Sequence, residues 1–93
     1  MWFVTLFKTG QPPSKENAMK VQEMMKEAEK WGVKFHQAFF TLGPYDGVQI
    51  TEAPDEKTAL RVSMLFSQNG GSSTTMAAVD MGEVMGWLMQ GKM

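Results

Sequence analysis

Two stretches of this chain are apolar on both of the faces that a β-strand presents. Residues 2–8 read WFVTLFK, which places Trp2, Val4 and Leu6 on one side and Phe3, Thr5 and Phe7 on the other. Residues 33–42 divide into Phe35, Gln37 and Phe39 against His36, Ala38, Phe40 and Leu42. Neither strand has a clearly wet face. A strand of that kind is covered on both sides, so residues 2–8 are expected at the centre of a sheet.

The rest of the chain alternates with these strands. Ser14 is placed to N-cap a helix that runs to about Trp31, with Ala18, Val21, Met24, Met25 and Ala28 at helical spacing. Glu16 with Lys20, Lys20 with Glu23, and Glu27 with Lys30 decorate its wet side. Gly32 stands where a helix end needs positive φ. Gly43-Pro44-Tyr45-Asp46 reads as a type I turn, which makes residues 33–42 and 47–52 a hairpin. Asp55 is a second N-cap, before a helix whose stripe is Ala59, Val62, Ser63, Leu65 and Phe66. Asn69-Gly70-Gly71 stops that helix. Residues 72–79 form a weaker strand, rich in hydroxyls and small side chains. Asp80, with Glu83 three residues on, opens a short terminal helix expected to bury Met81, Val84, Met85, Leu88 and Met89.

The order strand, helix, strand, strand, helix, strand is the split βαβ pattern. The expected fold is therefore α+β and ferredoxin-like (βαββαβ), a four-stranded antiparallel sheet with two helices on one face, plus a short C-terminal helix. The 93 residues are expected to form one domain, 1–93.

Composition limits what such a domain does. The nine basic and ten acidic residues give a net charge of −1 with no basic stripe, which argues against nucleic acid as partner. There is no cysteine, which removes disulfides, thiolate metal sites and thiol catalysis, and fits a cytoplasmic protein. The opening MWFVTLFKTG reads as a strand and not as a signal peptide or a membrane span. Ten methionines, mostly at helical spacing, read as core and interface filler.

Two helices cover one face of a four-stranded sheet. Whichever register holds, either Trp2, Val4 and Leu6 or Phe3 and Phe7 point away from them, and either Phe35 and Phe39 or His36, Phe40 and Leu42 do. Burying each large apolar side chain contributes about 1.5–3 kcal/mol, so an open patch of several drives association. The expected partner is a second copy of the chain, in a homodimer or higher homo-oligomer packed through the open sheet face.

Three residues are candidates for chemistry. His36 is the sole histidine and the one side chain that ordinarily titrates near neutrality. Tyr45 and Asp46 set a phenol and a carboxylate side by side. A phenol titrates near ~10, so acid–base work by Tyr45 at neutral pH needs a large shift. Turn chemistry accounts for the pair more simply, with Asp46 accepting from backbone N–H groups of its own turn and Tyr45 covering the core edge. One imidazole with no thiol is poor evidence for a metal, and no metal or cofactor is expected. No G-x-S-x-G elbow or phosphate loop is present.

The stretch TLGPYDGVQITEAPDEKTAL, with Gly43, Tyr45 and Asp46, resembles the GYD-domain family. VTLFKTGQ near the start and NGGSSTTM at the helix-to-strand turn are similar to that family in order and spacing. The chain departs from it at Pro12-Pro13 and in its methionine-rich tail. The resemblance implies a ferredoxin-like domain related to the dimeric α+β barrels, and implies architecture more than activity. Related folds place a ligand in the space enclosed by two sheets. Such a pocket is expected between sheet and partner, lined by Phe7, His36, Phe40 and Tyr45. The resulting expectation is a homo-oligomeric small-molecule-binding protein. The alternatives are a cofactor-independent enzyme with His36 as base and Tyr45 and Asp46 orienting the substrate, and an assembly protein without ligand.

Overall fold

The computed structural model describes residues 1–68 and 70–91. Its elements are β1 (Trp2–Lys8), α1 (Lys15–Lys30), β2 (Lys34–Phe40), β3 (Gly47–Glu52), α2 (Glu56–Ser67), β4 (Ser72–Ala78) and α3 (Met81–Met89). The four strands make one antiparallel sheet in the order β2-β3-β1-β4, the ferredoxin-like arrangement. β1 is central, as expected, whereas β2, whose two faces read as equally apolar, is an edge strand.

The helix ends form as local chemistry dictates. Ser14 Oγ accepts from the Asn17 N–H at 3.1 Å, Asp55 Oδ1 from the Thr58 N–H at 2.8 Å, and Asp80 Oδ2 from the Glu83 N–H at 3.0 Å. Gly32 leaves α1 at φ +91°. Glu16–Lys20 and Glu27–Lys30 lie at 3.8 and 3.5 Å on the outer side of α1. Of the expected stop Asn69-Gly70-Gly71, Asn69 lies outside the described residues.

Register fixes the two faces. Phe3 sits opposite Thr51 and Ala77, and Phe7 opposite Gly47 and Ser73, so Phe3, Thr5 and Phe7 look toward the helices. Trp2, Val4 and Leu6 look away, level with Glu52, Ile50 and Val48 of β3. In β2 the strict alternation read from the sequence fails. The register shifts between Phe35 and Gln37, a bulge at His36. One extra residue resets the phase of a strand. Phe35 therefore faces the helices, its ring 6.5 Å from that of Phe66, as do Ala38 and Phe40. Phe39, expected on the same side as Phe35, lies opposite Val48 on the other face.

The core occupies one end of the helix–sheet layer. Phe3, Ala28, Val33, Ala53 and Ala59 are buried, with Trp31, Phe35 and Val62 packed around them. The small side chains Ala28 and Ala59 let α1 and α2 approach there, and the Arg61 guanidinium lies 3.9 Å above the Trp31 ring. Toward its N-terminus α1 stands away from the sheet. Ala18, expected in the buried stripe, is exposed, and Val21, Met24 and Met25 are half-buried.

The sheet face opposite the helices is uncovered in the chain. Trp2, Phe39 and Met76 are exposed on it, and Val4, Leu6, Val48 and Ile50 are half-buried. β1 is thus central yet covered on one face. Among the described residues α3 does not close the other, since most of its own apolar side chains stay exposed. Met81, Met85, Leu88 and Met89, expected on its buried side, are exposed, and Val84 alone of that set is half-buried.

Candidate functional site

The stand-off of α1 opens a cleft of about 830 Å³ between the helices and the sheet. The core closes its deep end. Its mouth lies where β1 and β2 end, where β3 and β4 begin, and where the loop at Gly10 to Ser14 crosses. Phe7 and Phe40 project from the sheet side; Val21, Met25 and Phe66 come from the helices. Phe40 is 90 % exposed although it faces the helices, because α1 does not reach over it.

A polar row crosses this apolar space. Ser63 Oγ of α2 lies 2.9 Å from Thr75 Oγ1 of β4, and Thr75 Oγ1 lies 3.1 Å from Thr5 Oγ1 of β1. Gln49 of β3 lines the same cleft. Thr5 and Thr75 meet because they are direct antiparallel partners. The reading of candidate residues missed this row. Its signal was the run of hydroxyls in residues 72–75, whose partners appear only once the register is known.

The candidates for chemistry are not gathered into it. His36 lies on the bulge of the edge strand β2, on the face away from the helices. Its Nε2 is 2.9 Å from Glu52 Oε1, and its ring stacks on Trp2 at 4.6 Å between centroids. Glu52 ends β3, whereas Asp46 precedes its first residue, so the length of that strand separates His36 from Asp46. Tyr45 sits in the loop between β2 and β3, with Lys8 Nζ 5.9 Å from its ring centre. Phe7 and Phe40 therefore line the cleft, with Asp46 at its mouth, while His36 and Tyr45 are not among the cleft residues. Among the described residues, no three His, Asp or Glu side chains cluster as metal ligands do.

Residues 1–88 match the family model for the GYD domain. The chain belongs to the GYD-domain family. A relative from Thermus thermophilus, named glutamine synthetase and cystathionine beta-lyase binding protein, is 29 % identical over 83 residues, 87 % of each chain.

In this GYD domain the Gly43-Pro44-Tyr45-Asp46 stretch has a structural job. The hairpin closes two residues wider than the four-residue turn expected, with the Thr41 N–H donating to the Asp46 carbonyl at 2.9 Å and the Thr41 hydroxyl to the Tyr45 carbonyl at 2.7 Å. The Asp46 carboxylate reaches out of the hairpin. It accepts from the Thr9 N–H at 2.8 Å, not from its own turn. The Asp46 N–H donates to the Phe7 carbonyl at 2.8 Å. The GYD domain thus uses this aspartate to tie the exit of β1 to the entry of β3, at the rim of the cleft.

Proposed function

We propose that this GYD domain is a non-catalytic binding protein that holds a small molecule in the helix-side cleft and self-associates through its open sheet face. The observation that carries this is the cleft itself. Its volume falls within the ~300–1,000 Å³ usual for ligand sites, and aromatic rings with a few convergent polar groups line it. This differs from a pocket formed between a sheet and its partner, since one chain supplies the walls. The separation of His36 from Asp46 favours binding over the acid–base enzyme.

Self-association rests on the second face. Met76, Val4 and Ile50 lie in one row across this face, with Leu6, Val48 and Phe39 beside them in the next. Together they form an apolar, uncovered patch, and a second copy related by a two-fold axis offers the matching patch. The lack of cysteine fits work in the reducing cytoplasm. The name of the Thermus thermophilus relative supports a second reading, in which the open face or α3 docks a metabolic enzyme and the bound molecule modulates that contact.

Native mass spectrometry of protein purified without added ligand tests the proposal. Expected are a multiple of the chain mass and a small molecule released on activation. A monomer at high concentration refutes the self-association. Size-exclusion chromatography with the purified glutamine synthetase and cystathionine beta-lyase of the same organism tests the second reading, and separate elution refutes it.

A further inference from the structure

The cleft carries a signature of what it accepts. Of the described residues that line it, Lys8 and Asp46 are the ionisable ones, and both belong to its mouth. Asp46 is engaged by the Thr9 N–H, and the ammonium of Lys8 lies by the Tyr45 ring. Deeper in, the walls offer aromatic and aliphatic carbon, the Ser63–Thr75–Thr5 row and Gln49.

An ion carried past Lys8 and Asp46 into such a space loses hydration and meets no counter-charge among the described residues, at a cost of several kcal/mol. A hydroxyl or carbonyl faces no such penalty. Each hydroxyl of the row has one proton and two lone pairs. The two bonds within the row use two of its three protons. One donor and several lone pairs remain for an occupant, beside the Gln49 amide.

We infer that the cleft takes an uncharged, mainly apolar aromatic or polycyclic molecule whose one or two polar groups meet the hydroxyl row, and that it rejects phosphates, carboxylates and cations. This rests on the reading of the cleft as a binding site. The rings of Phe7, Phe40 and Phe66 supply the stacking surface. The open mouth, where Phe40 lacks cover, is the way in.

Two fluorescent probes sharing one ring system separate the possibilities. N-phenyl-1-naphthylamine is neutral, and 8-anilinonaphthalene-1-sulfonate adds a sulfonate. The neutral probe is expected to saturate the full chain and to bind at least about tenfold tighter than the sulfonate. Met25→Trp, which fills the cleft, is expected to weaken the neutral probe by about tenfold or more. Val21→Phe repeats that test should the first variant fold poorly by circular dichroism. Lys26→Gln, on the exposed side of α1 and outside both the cleft and the open sheet face, is expected to leave the affinity within about twofold.

A sulfonate that binds as tightly as the neutral probe, and is lost in Met25→Trp, overturns the ligand class while the cleft stands as a site. Binding of either probe that survives both cleft-filling variants, or is lost in Lys26→Gln, overturns the cleft as the site.

Discussion

Asp46 holds Thr9. The carboxylate of the first residue before β3 accepts the backbone N–H of the first residue after β1, at 2.8 Å across 37 positions of sequence. With the Asp46 N–H bonded to the Phe7 carbonyl, one residue closes both sides of a strand junction. Asp46→Ala leaves the Thr9 N–H to water and is expected to cost about 1 kcal/mol. In a chain of this length that lowers Tm by roughly 4–8 °C. Asp46→Asn, which keeps an oxygen acceptor, is expected to lose less. The Tyr45 carbonyl, not its phenol, accepts the Thr41 hydroxyl, so Tyr45→Phe should stay within about 0.5 kcal/mol of wild type. Thermal unfolding followed by circular dichroism checks all three.

Gly47 is the buried first residue of β3, and the Phe7 ring lies over it. A Cβ there runs into that ring and into the Phe39 carbonyl. Gly47→Ala is expected to destabilise by about 1–3 kcal/mol through overpacking, measured as a lower urea midpoint. It also displaces the Phe7 ring, so a ligand held in the cleft should bind more weakly in the refolded variant.

The open face decides assembly in the proposed reading. Met76 is 43 % exposed there, level with Val4, which is itself level with Ile50. Met76→Lys alone should change the stability of diluted protein by no more than about 0.5 kcal/mol. Combined with Ile50→Lys it should reduce the subunit count seen by native mass spectrometry. An unchanged count in the double variant removes this face as the contact.

Asp55 predicts a pH effect. The Thr58 hydroxyl, and then the Thr58 N–H, hold its carboxyl below the ordinary 3.8. A depressed folded pKa contributes stability that is present in full above the unfolded value and is lost as pH falls through the folded one. The α2 cap should therefore weaken as pH drops below about 4. Asp55→Asn keeps an acceptor but no charge. The difference between its urea midpoints at pH 6 and pH 3 should be smaller than in wild type.

The parts of this protein that follow from short-range rules were legible in its sequence. Ser14, Asp55 and Asp80 cap the helices they precede, and Gly32 turns the chain out of α1. In each case donor and acceptor lie within a few residues, or one residue's backbone freedom is the whole cause. The order of elements was legible too, because periodicity and turn residues mark each segment, but two apolar faces did not tell the central β1 from the edge strand β2. The Gly43-Pro44-Tyr45-Asp46 stretch announced a turn and the family.

Where the chain meets itself at long range, tertiary structure decided. Adjacent residues gave no sign of the bulge at His36, which sends Phe39 to the face opposite Phe35. Nothing local to Asp46 names Thr9 as its partner. The stripe of α1 promised close packing, yet its alanines touch the sheet at one end only, and the gap they leave is the cleft. The methionines of α3 promised a buried side, and the sheet does not supply one. Sequence specifies what each segment prefers. How far a helix stands from a sheet, and which hydroxyls meet across strands, depend on the volumes of side chains far apart in the chain, which the fold alone brings into contact.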